Sequence, residues 1–530
     1  MPRRPTLLRV GAAAASGAMC ALSRPPFDIG PLACVALVPL FLSSHERGAK
    51  ASAGYAFVAG TVYYAIVCSW IWYFGTIAIL PFVAICGGYW AAAGAIIGWL
   101  RTRGIRNPFL TAAVWVVADA CVSRFPFGGF SWGELGYAFH DIAPARAVAG
   151  VGGLTLLTFL AVALNAFVAD LLLAGRSTWR YVQAYLGVAL IATTVLVSTL
   201  TRAQPRVSSF LRVALVQGND KNRELTNAEL DGRYLPKSHF DLARRIADPV
   251  DLIVFPESSM DQDPRTDPFV HDNLVRIARE HHAWVLANAT VDADPDGRRA
   301  ENLDVLFGPD GQIVGTYSKH HLVPFGEYVP FRGELEGWIP ALRNVPRDFV
   351  RGKASGLFEI AGTRVATIIC FESAFGPEVR SRIRDGASVI ILSTNNRSYR
   401  RSANSAQHLA LGQIRAAETG RPVIQAAISG ITAVIDADGT VHDETHLFDR
   451  TVVETTVGAT TAQTFYVQHG EWALEASIAA VVLAGIVGLV RRRRRPFVES
   501  EPDGVERVAS RIEGAGNAEV PALHSTSAFA

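Results

Sequence analysis

Charge is spread along this chain in two regimes, and that division limits the fold more than any other feature. Residues 1–200 run in long blocks almost free of charge, whereas 205–460 have the composition of an ordinary water-soluble domain. A bilayer core is about 30 Å thick and takes about 20 apolar residues of helix to cross. Eight segments meet or approach that length: roughly 5–22, 26–43, 52–73, 77–100, 108–125, 147–173, 182–200 and 473–490. These lengths predict an α-helical membrane bundle of about eight spans. Seven helices fall in a membrane domain over 1–200, and the eighth is 473–490. The overall 50% hydrophobic content comes from these segments, and a net charge of +2 selects no partner.

Basic residues orient the spans, because cytoplasmic loops collect Lys and Arg. Arg3 and Arg4, Arg47 and Lys50, Arg101, Arg103 and Arg106, and Arg176 and Arg180 all fall on one side, with the run Arg491 to Arg495 after the last span. Alternate loops hold only Arg24, Arg124 and Arg146. Both termini are therefore expected in the cytoplasm and residues 201–472 outside it. Residues 491–530 read as a basic stretch followed by a disordered cytoplasmic tail. Gly17-Ala18-Met19-Cys20 hints at a lipoprotein cleavage site, but Met precedes the Cys where a small residue is needed, so an uncleaved first helix is expected.

Between Arg206 and Thr460, apolar runs alternate with amphipathic helices, the pattern of an α/β domain. Strands are expected at 211–217, 251–255, 283–290, 305–307, 312–317, 364–369, 388–393, 422–427 and 432–435, and helices at 238–247, 268–282, 376–385 and 405–419. In such sheets reactive groups gather beyond the carboxyl ends of strands. Glu257 follows the run Leu252–Phe255, Lys319 follows Ile313–Tyr317, Cys370 ends Arg364–Ile369, and Asn395 follows Val389–Leu392. Cys370 is the only cysteine of the soluble stretch; Cys20, Cys34, Cys68, Cys86 and Cys121 lie in apolar segments. A lone thiol outside the cytoplasm is a liability unless it acts. A free thiol is mostly protonated at neutral pH and needs a base or a nearby cation to become a nucleophile. Glu, Lys and Cys together supply a base, an oxyanion clamp and a nucleophile for acyl transfer through a thioester. No metal-ligand spacing is present: His281-His282 and His320-His321 are adjacent pairs without a shared ligand face. Gly150-Val-Gly-Gly153 opens a span and reads as helix packing. No cofactor is implied.

Three blocks carry a family resemblance: Phe255-Pro-Glu257-Ser-Ser, Tyr317-Ser-Lys319 through Pro324-Phe-Gly-Glu327-Tyr-Val-Pro330, and Ile368-Ile-Cys370-Phe-Glu372. They resemble the signature blocks of the carbon–nitrogen hydrolase (nitrilase-like) superfamily. Together with the membrane segments they resemble its apolipoprotein N-acyltransferase family over nearly the whole chain. The resemblance implies a nitrilase-like αββα sandwich placed extracytoplasmically on a bacterial plasma membrane. It implies that Cys370 takes an acyl chain from a phospholipid and passes it to the α-amine of a diacylglyceryl-cysteine at a lipoprotein N-terminus. Glu257 would be the general base and Lys319 the oxyanion stabiliser, with Glu327 and Glu372 as supporting carboxylates. Phe371, Asn395, Tyr399 and Trp338 are the expected substrate-binding residues, and a monomer is expected.

The chain also departs from the family pattern. A Trp common after the Asn-rich strand end is absent from Asn395-Asn-Arg-Ser-Tyr399-Arg400, where Tyr399 is the aromatic. Phe371 stands where a Tyr is common, and Ile428-Ser-Gly430 replaces an Asn-Asn-Gly turn. These changes bear on substrate or donor preference. Extracting a long acyl chain into water costs on the order of 10 kcal/mol, so the site should lie against the bilayer. Phe125–Phe139 and Phe331–Val350, rich in aromatic and apolar residues, are candidate gates. Two rival readings are an amidase that passes the acyl group to water and a non-catalytic scaffold of the same fold.

Overall fold

A computed structural model describes residues 4–491 apart from 176, 203–205, 340, 341 and 344. The expected tail beyond residue 491 lies outside the described residues.

Among the described residues, four helices are long and apolar enough to cross a membrane: Thr76–Thr102, Ala149–Leu172, Thr178–Leu200 and Trp472–Val490. Arg4–Leu22, Ala49–Val67 and Pro108–Val122 pack with them. The expected span 26–43 is not one continuous helix. It breaks into a 3-10 turn, Gly30–Cys34, and a short helix, Val38–Ser43, each with a proline at its start. Backbone groups freed by such a break have no water to bond with inside an apolar bundle and must find partners in the protein. Asn165, fully buried, supplies them. Its Oδ1 accepts from Leu37 N at 2.7 Å, and its Nδ2 donates to Ala33 O at 2.7 Å and Ala161 O at 2.8 Å. The broken segment still runs back along the first helix: Arg9 donates to Ser43 O at 2.7 Å, and Leu40 N donates to Ser16 Oγ at 2.8 Å. Helix Ala149–Leu172 is kinked at Gly152 and Gly153, where φ of Gly153 is +68°. A Cβ on Gly153 would come within 2.8 Å of the Tyr466 ring. The orphaned Leu154 N–H donates to Glu418 Oε1 at 2.7 Å. The Gly-rich stretch read from sequence as helix packing is thus also a joint with the α/β domain.

Among the described residues that domain has thirteen strands: β1 (Val207–Gln217), β2 (Leu252–Val254), β3 (Trp284–Asp292), β4 (Arg299–Phe307), β5 (Ile313–Ser318), β6 (Asp348–Phe349), β7 (Leu357–Ile360), β8 (Thr363–Ile369), β9 (Val389–Thr394), β10 (Val423–Ala427), β11 (Ala433–Ile435), β12 (Val441–His442) and β13 (Thr451–Thr460). One sheet has the order β13-β1-β2-β3-β4-β5, with β6 beside β4; the other runs β12-β11-β10-β9-β8-β7. Val213, Leu215, Leu252 and Val254 from the first sheet meet Val365, Val389, Ile391 and Ile424 from the second in a dry core. Helices Tyr234–Ala243 and Pro268–His281 cover the outer face of the first sheet, and Gly376–Arg384 and Asn404–Thr419 that of the second. The result is an αββα sandwich. Several strands run longer than the apolar pattern predicts, and β6, β7, β12 and β13 have no counterpart in it. β4 extends back through the polar run 299–304, and β13, exposed at Glu454 and Thr456, pairs antiparallel with β1.

Helix Asn404–Thr419 is buried on nearly every side because it packs on both the sheet and the bundle. Its Gln407 Oε1 accepts from Trp70 Nε1 at 3.0 Å and Trp132 Nε1 at 2.8 Å. Its Nε2 donates to Val67 O at 2.8 Å and Pro25 O at 3.1 Å. One side chain of the α/β domain therefore ties together three parts of the bundle.

Candidate active site

Strands β2, β5, β8 and β9 end on the same side of the sandwich, because β2 and β5 run parallel within one sheet and β8 and β9 within the other. The residues just past those ends, Glu257, Lys319, Cys370 and Asn395, converge across the two sheets. Lys319 is 1% exposed, and its Nζ donates to Glu327 Oε1 at 2.8 Å and Glu257 Oε1 at 3.4 Å. A buried ammonium is tolerated only when paired. Burial pulls the Lys319 pKa down, but Glu327 and Glu257 more than offset it and hold the amine charged.

Burial also pushes the Glu257 carboxyl up, against the opposing pull of Lys319. Its Oε1 accepts from Asn302 Nδ2 at 2.7 Å. Its Oε2 is buried without a hydrogen-bond partner, and the neighbouring Cys370 thiol offsets part of the burial penalty. Burial, and next the Glu257 charge, push the Cys370 thiol well up. A resident thiolate is therefore disfavoured. Cys370 adopts φ +53°, a left-handed conformation uncommon outside glycine, which turns it out of β8 into the 3-10 turn Cys370–Ala374.

Glu372 holds this elbow in place. Its Oε1 accepts from Tyr317 Oη at 2.7 Å, His320 N at 2.7 Å and His321 N at 3.1 Å, and its Oε2 accepts from Ile369 N at 2.7 Å. One carboxylate thus links the residue before Cys370 to the loop just after Lys319. Glu327 also serves two elements, since its Oε2 accepts from Val323 N at 2.8 Å. Asn395 follows β9, which pairs with β8 beside Cys370, and its side chain accepts from Arg397 N at 3.1 Å.

Phe371 points away from the triad into the bundle. Its ring stacks on Trp132 at 6.2 Å and lies 5.9 Å from Phe130, centroid to centroid. Tyr399 lies edge-on to Trp70 at 4.9 Å and Phe74 at 5.8 Å. Trp338 is not part of this cluster: it is 87% exposed. Of the two candidate gates, Phe125–Phe139 is largely a packed wall, with Trp132, Tyr137 and Phe139 buried. Its Phe127 meets Phe325 at 5.8 Å and Phe331 at 5.9 Å from the catalytic side. In the second candidate gate, Leu342 is buried.

A polar ladder that includes Asn302 lies behind Glu257. Thr367 Oγ1 donates to Asp304 Oδ2 at 2.6 Å. Asn288 Nδ2 donates to Asp304 Oδ1 at 2.9 Å and Asn302 Oδ1 at 2.8 Å, and Ser258 N donates to Asn288 Oδ1 at 2.8 Å. The ladder crosses both sheets and, through Asn302, fixes the Glu257 carboxylate. The signal is faint but present: Asn288, Asn302 and Asp304 are polar residues at inward positions of otherwise apolar strands. A separate cavity of about 250 Å3, lined by Asp119, Glu134, Phe375 and Glu418, lies between bundle and sandwich and does not include Cys370. Among the described residues, no cluster of three or more His, Cys, Asp or Glu side chains is arranged to hold a metal.

Two sequence profiles match the chain. "Apolipoprotein N-acyltransferase N-terminal domain" covers residues 16–167 and "Carbon-nitrogen hydrolase" covers 212–466. An apolipoprotein N-acyltransferase of Azotobacter vinelandii is 31% identical over 521 residues, covering 92% of this chain and 97% of that protein. The chain belongs to the apolipoprotein N-acyltransferase family. Further apolipoprotein N-acyltransferases include those of Gloeobacter violaceus, 30% identical over 93% of this chain and 97% of its own, and Geobacter metallireducens, 28% identical over 91% and 95%. Among solved structures, a CN-hydrolase superfamily protein from Xanthomonas campestris aligns with 51% of this chain and 97% of its own, at 20% identity and a TM-score of 0.36. In this apolipoprotein N-acyltransferase family member, Glu257, Lys319 and Cys370 all fall inside the carbon–nitrogen hydrolase match, and Trp70 and Trp132, which meet Gln407, inside the N-terminal match.

Proposed function

We propose that this chain N-acylates lipoproteins in two steps, using Cys370 as the nucleophile. The observation that carries the reading is the convergence of the Cys370 thiol, the Glu257 carboxylate and the buried Lys319 ammonium at the strand ends. In the first step Glu257 takes the Sγ proton as sulfur attacks the ester carbonyl of a phospholipid. Lys319 stabilises the oxyanion. The glycerol oxygen leaves with the proton from Glu257, giving a thioester and a lysophospholipid. In the second step the neutral α-amine of a diacylglyceryl-cysteine attacks the thioester. Its proton passes through Glu257 to the departing sulfur, and an amide forms. The raised Glu257 carboxyl is a stronger base than an ordinary carboxylate, as removal of a proton from a buried thiol requires.

Glu327 keeps Lys319 charged and in place, and Glu372 holds the elbow. Phe371, Tyr399 and the Asn395 backbone line the acyl path, with Trp338 as an interfacial contact beyond it. The chain acts as a multi-pass plasma-membrane monomer of about eight spans, with the sandwich on the extracytoplasmic side and both termini in the cytoplasm. The loop basicity and the apolar contacts of Phe371 with the bundle support that setting.

Mass spectrometry of the protein purified from membranes tests the mechanism. A thioester-linked fatty acyl mass is expected on the peptide containing Cys370, absent from Cys370→Ala and discharged by a diacylglyceryl lipopeptide. Discharge to free fatty acid instead points to the amidase reading. An acyl mass that persists in Cys370→Ala removes the nucleophile assignment.

A further inference from the structure

The turn after β9 reads Asn395-Asn-Arg-Ser-Tyr-Arg-Arg401, three arginines in five residues with no acid among them. Arginines on a solvated face commonly pair with carboxylates. Among the described residues Arg400 and Arg401 form no ion pair. Each is exposed and lies over a ring, Arg400 at 5.4 Å from Tyr73 and Arg401 at 5.3 Å from Phe448. Arg397 is only 3.6 Å from Glu224, a loose pair, and its Nε is buried without a partner. Cation–ring contacts hold a guanidinium in place but leave its N–H groups free to donate.

The position of the turn gives those free donors a target. Its strand β9 runs parallel beside β8, with Ser393 paired to Ile369, so the turn starts next to Cys370, and Tyr399 on it packs edge-on against Trp70 and Phe74. Beneath Tyr399 lies the turn Ser69–Phe74, whose Trp72, Tyr73 and Phe74 are each about half exposed (50%, 49% and 51%) at the end of an apolar helix. Half-exposed Trp and Tyr at a helix end mark the level where lipid headgroups begin. Arg400, over Tyr73, therefore sits at headgroup depth, with Arg401 beside it, on the turn that follows the strand next to Cys370. On a glycerophospholipid, the acyl ester and the phosphate share one glycerol and are a few bonds apart. Planar guanidinium donors suit phosphate oxygens.

We propose that Arg400 and Arg401, backed by Arg397, bind the phosphate of the acyl donor while its ester carbonyl lies at Cys370, so that this turn selects phosphate-bearing glycerolipids as donors. The proposal rests on the acyltransferase reading above and deepens it. The test uses the full-length protein in micelles of a neutral detergent that carries no ester. The donor is either dipalmitoyl phosphatidylethanolamine or dipalmitoylglycerol, which has no phosphate, and acylation of Cys370 is followed by intact mass.

In Arg400→Gln/Arg401→Gln, the apparent KM for the phospholipid is expected to rise about tenfold with little change in the maximal rate. Acylation from dipalmitoylglycerol should be unchanged, and Arg400→Lys/Arg401→Lys should recover part of the phospholipid effect. An unchanged phospholipid KM, or an equal loss with both donors, overturns the proposal. So does an effect seen only after a non-reactive anionic diether lipid is added, because the arginines then dock the bilayer surface rather than the donor. Absence of acyl-enzyme from either donor in the unsubstituted protein removes the acyltransferase reading and this proposal with it.

Discussion

Asp304 lies between the two sheets, fully buried, accepting from Thr367 on one side and Asn288 on the other. Burial raises its pKa from an ordinary 3.8 to about 7, against the pull of those two donors. A carboxyl whose pKa is higher in the folded state is stabilised there in its protonated form. That contribution is fully present below 3.8 and is lost as pH rises through about 7. The thermal unfolding temperature should therefore fall as pH rises across this window, and Asp304→Asn should flatten the slope. Scanning calorimetry of both proteins at several pH values checks it; parallel slopes would remove Asp304 as the source. Asp304 also shows why part of the site is hidden in sequence. Glu257, Lys319, Cys370 and Asn395 are legible because each follows an apolar run that must end where the strand ends. Asn288, Asn302 and Asp304 sit inside strands, where inward polar residues simply weaken the alternating pattern and shorten the expected strand. The same effect truncates β4 in the sequence reading.

At the scale of elements, the broken segment Gly30–Ser43 has the most to teach. Hydropathy sums side chains and does not register Pro31 and Pro39, which leave the helix ladder open, so the segment reads as a continuous span. The partner that closes the ladder, Asn165, is more than a hundred residues away and reads as an isolated polar residue in a span. Asn165→Leu removes hydrogen bonds to Leu37, Ala33 and Ala161 inside the bundle. At about 0.6–2 kcal/mol for each such bond, the loss should lower the unfolding temperature in detergent by several degrees. Acylation measured well below that temperature should be little changed, because Asn165 touches neither sheet. A variant as stable as the parent would show that water or lipid can serve the freed groups instead. The edge strand β13 was illegible for another reason: its exposed residues are mostly Thr and Glu, and its pairing with β1 spans more than two hundred residues.

Across the whole molecule, the division into a bundle and an α/β domain is visible in the distribution of charge, but the joint between them is not. Gln407, Glu418 and Phe371 look from sequence like helix and loop residues of a soluble domain. In the structure Gln407 holds two tryptophan N–H groups and two backbone carbonyls, Glu418 caps the kink at Leu154, and Phe371 packs on Trp132. Residues 206–463 cut free as a stand-alone enzyme would leave Phe371 and Phe375 facing water directly beside Cys370, and Gln407 without its four bonds. Such a fragment is expected to self-associate on size-exclusion chromatography and to show no acyl-enzyme. A monodisperse, acylating fragment would mean that the bundle serves only as an anchor. Part of the wall around Cys370 thus belongs to the bundle, so drift in either domain must be matched by the other, and swapping domains between distant relatives should fail even where each folds.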